Sequence, residues 1–275
     1  MNGRVGSDVR LPQVSGALAG SALTEPQEAH NDRCHKENTN GEDKMQVSWR
    51  LLFALALLPF AFMTIAHAQD ANDPAVYMVT YLDVTPASRA ADAALLRQLA
   101  AASRKDAGMV RYEVFQRGAP SNQFAIIEIW KDQQSYDAHA ASAHVKTFRQ
   151  QIEPHLVAPI DERPYVALAV GPKDAAAIPG GSTVAISHVD VVPPKKDDGV
   201  AALKALADPT RKDNGNVRFD VYQQKTRPNH FTVIEVWRNQ KAADAHETGT
   251  HTKDFRKVLG SATGALYDQR WYKAL

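Results

Sequence analysis

From Val76 onward the apolar positions change period in a fixed order. Val76–Val84 alternates weakly, is rich in β-formers, and predicts a strand. Pro86 ends it and suits the first turn of a helix. Ala87–Asp106 carries Leu95, Leu96, Leu99 and Ala102 as one apolar stripe at helical spacing, with Gly108 as a stop. Met109–Arg117 reads as a second strand, Gly118–Asn122 as a turn and Gln123–Trp130 as a third strand. Asp132 can cap a helix running to about Ile152, and Glu162–Val170 is the predicted fourth strand.

The same pattern returns 107 positions later without a gap, Tyr77–Leu168 against Val184–Leu275, with roughly a third of positions identical. Arg104-Lys105-Asp106-Ala107-Gly108 recurs as Arg211-Lys212-Asp213-Asn214-Gly215, and Phe124–Trp130 recurs as Phe231–Trp237. The chain is therefore a duplication, with copies at residues 76–170 and 183–275 joined by a Pro/Gly-containing linker at 171–182. The order βαββαβ in each copy predicts an α+β fold of the ferredoxin-like kind. Two helices would cover one face of a four-stranded antiparallel sheet. The third strand is largely apolar on both faces: Phe124, Ile126 and Trp130 on one, Ala125, Ile127 and Ile129 on the other. A second apolar face must also be buried, and packing the two sheets against each other within one chain does so. This predicts an intrachain pseudo-dimer and leaves further homo-oligomerisation open.

The first 75 residues follow a different pattern. Leu51–Ala66 is a nearly unbroken apolar run, preceded by Lys44, Met45 and Arg50 and followed by Ala66-His67-Ala68. A basic region, an apolar run and a small-residue box predict a signal peptide over residues 45–68, cleaved after Ala68, with an uncleaved N-terminal anchor as the competing reading. The run is shorter than the roughly 20 residues needed to span a bilayer, so no stable membrane span is expected after cleavage. Residues 1–44 are polar and aperiodic, and read as an over-extended start or a disordered leader. The expected location is periplasmic or secreted.

Composition narrows the chemistry. The formal net charge is +1, evenly spread, which argues against nucleic acid as a partner. The single cysteine, Cys34, precedes the signal, so a mature chain from Gln69 would have no thiol for a disulfide, an iron–sulfur cluster or a nucleophile.

Glu128 and Glu235 stand on mostly apolar strands and must be paired or solvated. The preferred reading is a salt bridge to Arg111 or Arg218 on the neighbouring strand; the other is a pocket base. His139, His144, His246 and His251 are candidate general bases, caps or packing residues. On one continuous helix the five-residue spacing turns each pair about 140° apart. With no third ligand nearby, no metal site is expected. Trp130 and Trp237 read as core or pocket wall.

Together these residues form a pattern: Glu-x-Trp closing the third strand, then His, His and an aromatic in the following helix. They are Glu128, Trp130, His139, His144 and Phe148 in copy one, and Glu235, Trp237, His246, His251 and Phe255 in copy two. On these residues each copy resembles the antibiotic biosynthesis monooxygenase domain of the dimeric α/β-barrel superfamily. The resemblance spans nearly all of each repeat and none of residues 1–75. It implies oxidation of a small aromatic, phenolic or quinol-like ligand by O₂ without flavin, metal or haem, the substrate itself reducing oxygen. The family's aromatic-polyketide oxidases use an Asn, a Trp four residues on, a Tyr six residues later, and an Arg. Trp130, Tyr136 and Arg149 can fill the last three places, while Ile126 stands at the Asn position. Copy two departs further, with Val233, Trp237 and Ala243. Haem degradation is not expected, because His139 stands where those relatives carry a helix Trp. His139, Trp130 and Tyr136 are thus the catalytic candidates. Glu128, His144, Phe148, Arg149, Glu235, Trp237, His246 and His251 are the candidate ligand contacts. A module that binds a ligand or partner without chemistry is the alternative function.

Overall fold

The computed structural model describes residues 73–173 and 177–275. The expected signal segment and its leader lie outside them. Copy one runs β1 (Val76–Asp83), α1 (Arg89–Ser103), β2 (Met109–Arg117), β3 (Gln123–Trp130), α2 (Gln133–Ala140), α3 (Ala143–Ile152) and β4 (Asp161–Ala169). Copy two repeats it as β5 (Thr183–Asp190), α4 (Lys196–Arg211), β6 (Asn216–Gln224), β7 (His230–Trp237), α5 (Gln240–Glu247), α6 (Thr250–Ala262) and β8 (Asp268–Ala274).

The eight strands close into a barrel in the order β1-β3-β2-β8-β5-β7-β6-β4. Within each copy the sheet is the ferredoxin-like one, and the fourth strand of each half joins the second strand of the other. Tyr165 of β4 pairs with Gln224 of β6, and Phe115 of β2 pairs with Ala274 of β8. Closure leaves no sheet edge to aggregate.

Strand alternation sorts the side chains into three apolar clusters. Phe124, Ile126 and Trp130 face the helices of copy one together with Leu96, Leu99 and Phe148. Ala125, Ile127 and Ile129 point into the barrel, where they meet Val184, Ile186, Ile234 and Val236 of copy two. Phe219, Val233 and Phe255 belong to the matching helix-side cluster of copy two. Tyr165 reaches across the barrel to Thr232, hydroxyl to hydroxyl at 2.8 Å.

The glutamate–arginine pairing expected from sequence does not form. Register explains why: on β2, Tyr112 lies opposite Glu128 and Arg111 opposite Ile129. Neighbours on a strand point to opposite faces. Glu128 therefore faces the helices and Arg111 the barrel, and Glu235 and Arg218 are separated likewise. The arginines bind across the barrel instead. Arg111 donates to Asp220 at 3.0 Å and to the linker carbonyls of Pro172 and Lys173. Arg218 forks onto both carboxylate oxygens of Glu113 at 2.9 and 2.6 Å. Asp220 also accepts the Gly171 amide at 2.9 Å, so the network ties both copies and the linker together.

The helix expected as one element from Asp132 to Ile152 is two. Asp132 caps α2, its carboxylate accepting the Ser135 amide at 2.8 Å. The helix stops at Ala140, and extended Ser142 caps α3 by accepting from Val145. Copy two breaks at the same place, before Gly249. No helix among the described residues is long and apolar enough to cross a membrane.

Removing one partner from a buried ion pair strands the other charge. Arg111 and Asp220 are both buried. Asp220→Ala is expected to lower unfolding free energy by about 3–5 kcal/mol, measured by urea denaturation.

Candidate active site

The break between α2 and α3 brings together what a continuous helix would hold apart. His139 ends α2 and His144 begins α3, and both reach one carboxylate, that of Asp106. His139 Nδ1 lies 2.7 Å and His144 Nε2 3.1 Å from Asp106 Oδ2. Asp106 is set by the turn after α1. There Gly108 has φ +79°, its carbonyl accepts the Lys131 amide, and an added Cβ would collide with the Ser135 side chain. A side chain at Gly108 would be strained by backbone and neighbour alike.

A carboxylate only accepts, so the His139 proton sits on Nδ1 and Nε2 is left with its lone pair. Burial lowers the His139 pKa, against the opposing pull of Asp106, which favours the neutral ring. Nε2 faces Glu128 Oε2 at 3.7 Å. The same Oε2 accepts the Trp130 indole N–H at 2.8 Å. Trp130 is fully buried and stacks on His139, ring centroids 4.4 Å apart. It therefore fixes both the carboxylate and the imidazole from behind.

In front of Glu128 and His139 opens a small cleft, about 30 Å³ of enclosed space that widens into open solvent at its mouth. Its apolar walls come from Leu82, Leu99, Ile126, Phe148 and Ile160, and its polar groups from Thr80, Tyr136, Arg149 and Glu162. Arg149 and Glu162 pair at 2.6 Å in its half-exposed wall. Few polar groups in an apolar cleft suit a small organic ligand. Burial raises the Glu128 carboxyl to about 7, although the Trp130 hydrogen bond pulls the other way. Burial first, and then Glu128, raise the Tyr136 phenol to about 12.

Of the candidates from sequence, Glu128, Tyr136, His139, Phe148 and Arg149 line this cleft. Trp130 stands behind it, and His144 lies beyond Asp106. Asp106, Thr80 and Ile160 are participants that sequence reading did not single out. The repeated Lys-Asp-x-Gly turn was the available signal for Asp106 and for its counterpart Asp213.

Copy two rebuilds the inner part. His246 Nδ1 and His251 Nε2 lie 2.8 and 2.9 Å from Asp213 Oδ2. His246 Nε2 is 3.7 Å from Glu235, which accepts the Trp237 indole at 2.9 Å. Burial raises Glu235 to about 7 as well. The outer part differs: Tyr136, Ile160 and Glu162 become Ala243, Tyr267 and Gln269. In each copy the Asp-His-His donors lie within 4.8 Å of one another, close enough to hold a divalent cation. Asp106 and Asp213 are thus the third donors that the sequence did not place beside the histidines; Asp213 is hydrogen-bonded to both of its histidines, Asp106 to His139 alone.

A barrel closed from two ferredoxin-like halves, with a helix-side cleft in copy one, defines a dimeric α/β barrel made within one chain. The antibiotic biosynthesis monooxygenase profile matches residues 75–151 and 183–258, and the chain belongs to that family. The Bacillus subtilis protein YcnE, which carries a provisional monooxygenase name, is 28% identical over 69 residues, 25% of this chain and 73% of YcnE. An uncharacterised Synechocystis protein is 33% identical over 63 residues, 23% of this chain; the match spans less than half, 43%, of that relative. A provisionally named monooxygenase structure from Fusobacterium nucleatum aligns with TM-score 0.68 at 12% identity, over 74% of this chain and 94% of its own. At that identity the likeness is one of fold, and its coverage takes in both halves of the barrel.

The glutamates set a testable pH signature. A free glutamate ionises near 4.5, whereas Glu235 holds its proton to about 7. As pH rises from 4.5 to 7, the unfolded chain releases a proton that the folded chain keeps, so stability falls across that window and levels above it. Glu235→Gln removes this titration. Its stability relative to the parent is expected to grow by about 3 kcal/mol between pH 4.5 and 7.5, read from denaturant midpoints at each pH.

Proposed function

We propose that the protein is an exported monooxygenase that oxidises a small phenolic or quinol substrate with O₂ in the copy-one cleft, without a bound cofactor. The observation that carries this reading is Glu128, a carboxylate with pKa about 7 at the base of an apolar cleft. A group that titrates near neutrality is suited to take a proton and return it. Glu128 would accept the phenol proton, and the phenolate would pass an electron to O₂. Joining of the radical pair at a ring carbon and loss of water would complete the reaction phenol + O₂ → quinone + H₂O. The contact series Glu128, His139, Asp106, His144 offers the proton a route between cleft and surface. Trp130 acts in this scheme as a positioning residue. Tyr136 and Arg149 would hold the ring and its second oxygen. Membership of the family and the provisional name of YcnE support the general activity. Export rests on the apolar run at Leu51–Ala66 and the Ala66-His67-Ala68 box.

The test is oxygen uptake by Gln69–Leu275 on hydroquinones and anthrone-like phenols, with no cofactor added. Uptake is expected to rise with pH through about 7, as Glu128 ionises. Glu128→Gln is expected to lower kcat about 100-fold and flatten that rise. A folded protein that binds these phenols yet consumes no oxygen would be a binding module instead, a reading that Ile126 at the family's Asn position favours. For export, N-terminal sequencing of the protein recovered outside the cytoplasm is expected to begin at Gln69.

A further inference from the structure

The two helix-side clefts share their inner walls but not their contents. Thr80 and Glu128 of copy one correspond to Ser187 and Glu235 of copy two, and Ile160 in the copy-one wall corresponds to Tyr267. Tyr267 packs against the helix-side core of copy two, among Phe219, Val233 and Phe255. Its phenol lies beside Ser187, whose buried Oγ has no hydrogen-bond partner, and burial first, then the Glu235 charge, pushes the phenol pKa up. Ser187 and Glu235 are themselves buried, at 0% and 2% exposure. Tyr267 thus occupies the side of copy two whose buried Ser187 and Glu235 correspond to Thr80 and Glu128, which line the open cleft of copy one.

We infer that Tyr267 is a built-in occupant of the copy-two cleft, so that each chain offers one cleft open to a phenol, in copy one, and a second closed by its own side chain. The argument takes the location of the ligand site from the reading above and adds which copy is open, what closes the other and how the ligand head group sits. Tyr267 enters where Ile160 stops short. A tyrosine side chain is a para-substituted phenol, so its placement also reports the pose: hydroxyl toward Thr80 and Glu128, ring among Leu99, Ile126 and Phe148. Ala243 makes room in the same cleft, since the tyrosine that lines copy one at Tyr136 is missing there. One aromatic ring has in effect moved from the second helix to the approach to the fourth strand, and in moving has filled the site. The inner Asp-His-Glu contacts survive in copy two because they join the α4–β6 turn, α5 and β7, which a closed cleft still requires.

The probe is p-cresol, the side chain of tyrosine as a free molecule, titrated calorimetrically into Gln69–Leu275 with argon-purged buffer. Binding is read without turnover, so an inactive protein tests the inference as well as an active one. The parent is expected to bind one equivalent. Tyr267→Ala, and separately Tyr267→Ile, which installs the copy-one residue, should bind two. Ile160→Tyr should lose the copy-one equivalent, with affinity reduced more than tenfold. Amide chemical shifts should move near Glu128 in the parent and also near Glu235 in the Tyr267 variants. Circular dichroism and thermal melting identify which variants are folded. Any other stoichiometry in folded protein overturns the inference: no equivalent in the parent, one in both Tyr267 variants, or unchanged binding in Ile160→Tyr. If both Tyr267 variants unfold, Ile160→Tyr decides, since a tyrosine that fails to close copy one has no claim to close copy two.

Discussion

Each four-stranded sheet carries an apolar face that its own helices do not cover. Tyr77, Val79, Ala125, Ile127 and Ile129 in copy one, and Val184, Ile186, Ile234 and Val236 in copy two, would meet water if either half stood alone. An uncovered face of that size is not stable in a monomeric domain. Joining the halves buries it, and joining β4 to β6 and β2 to β8 removes the sheet edges at the same time. Everything else in the fold follows from that closure. The helices are confined to the outside, and the cleft of copy one lies between its sheet and its own helices. Charge pairs such as Arg111 with Asp220 are forced to span the barrel, because strand alternation points them inward.

Closure also explains why a buried glutamate is tolerated. Glu128 cannot reach Arg111, which points into the barrel, and Arg149 in its own cleft is paired with Glu162. Glu128 is held instead by one indole N–H and faced by an imidazole whose own proton is committed to Asp106. Desolvation outweighs the indole hydrogen bond, and the Arg149 charge is offset by its partner Glu162, so the carboxyl is pushed up to about 7. An ion pair there would have kept it permanently ionised and poor at returning a proton. The same construction around Glu235 gives the same shift, which shows that the effect belongs to the framework and not to the cleft contents.

Much of the fold was legible in the sequence because periodicity is local. The strand faces of Phe124–Trp130 follow from alternation alone, and the duplication from direct comparison. What was not legible depends on register and on where a helix stops. The glutamate–arginine pair fails by a single position of register, Tyr112 rather than Arg111 opposite Glu128. The histidines looked divergent because Asp132–Ile152 reads as one helix. Ser142 was the available signal for the break, a capping residue ahead of Ala143 that also looks like an ordinary helix surface position. Asp106 was visible only as part of a helix-ending turn. Its role depends on a contact 33 residues away in sequence, to a histidine re-aimed by that break.

Duplication within one chain separates two demands that a homodimer would impose on the same residues. In a symmetric dimer, a side chain that closed one cleft would close both. Here the barrel needs copy two for its interior face, its two inter-copy strand junctions and the partners of Arg111 and Glu113. None of these involves the outer wall of the copy-two cleft. Ala243, Tyr267 and Gln269 could therefore diverge from Tyr136, Ile160 and Glu162 without disturbing closure. A half-buried aromatic in that space adds apolar contact with the cluster of Phe219, Val233 and Phe255 where an empty cleft would offer none.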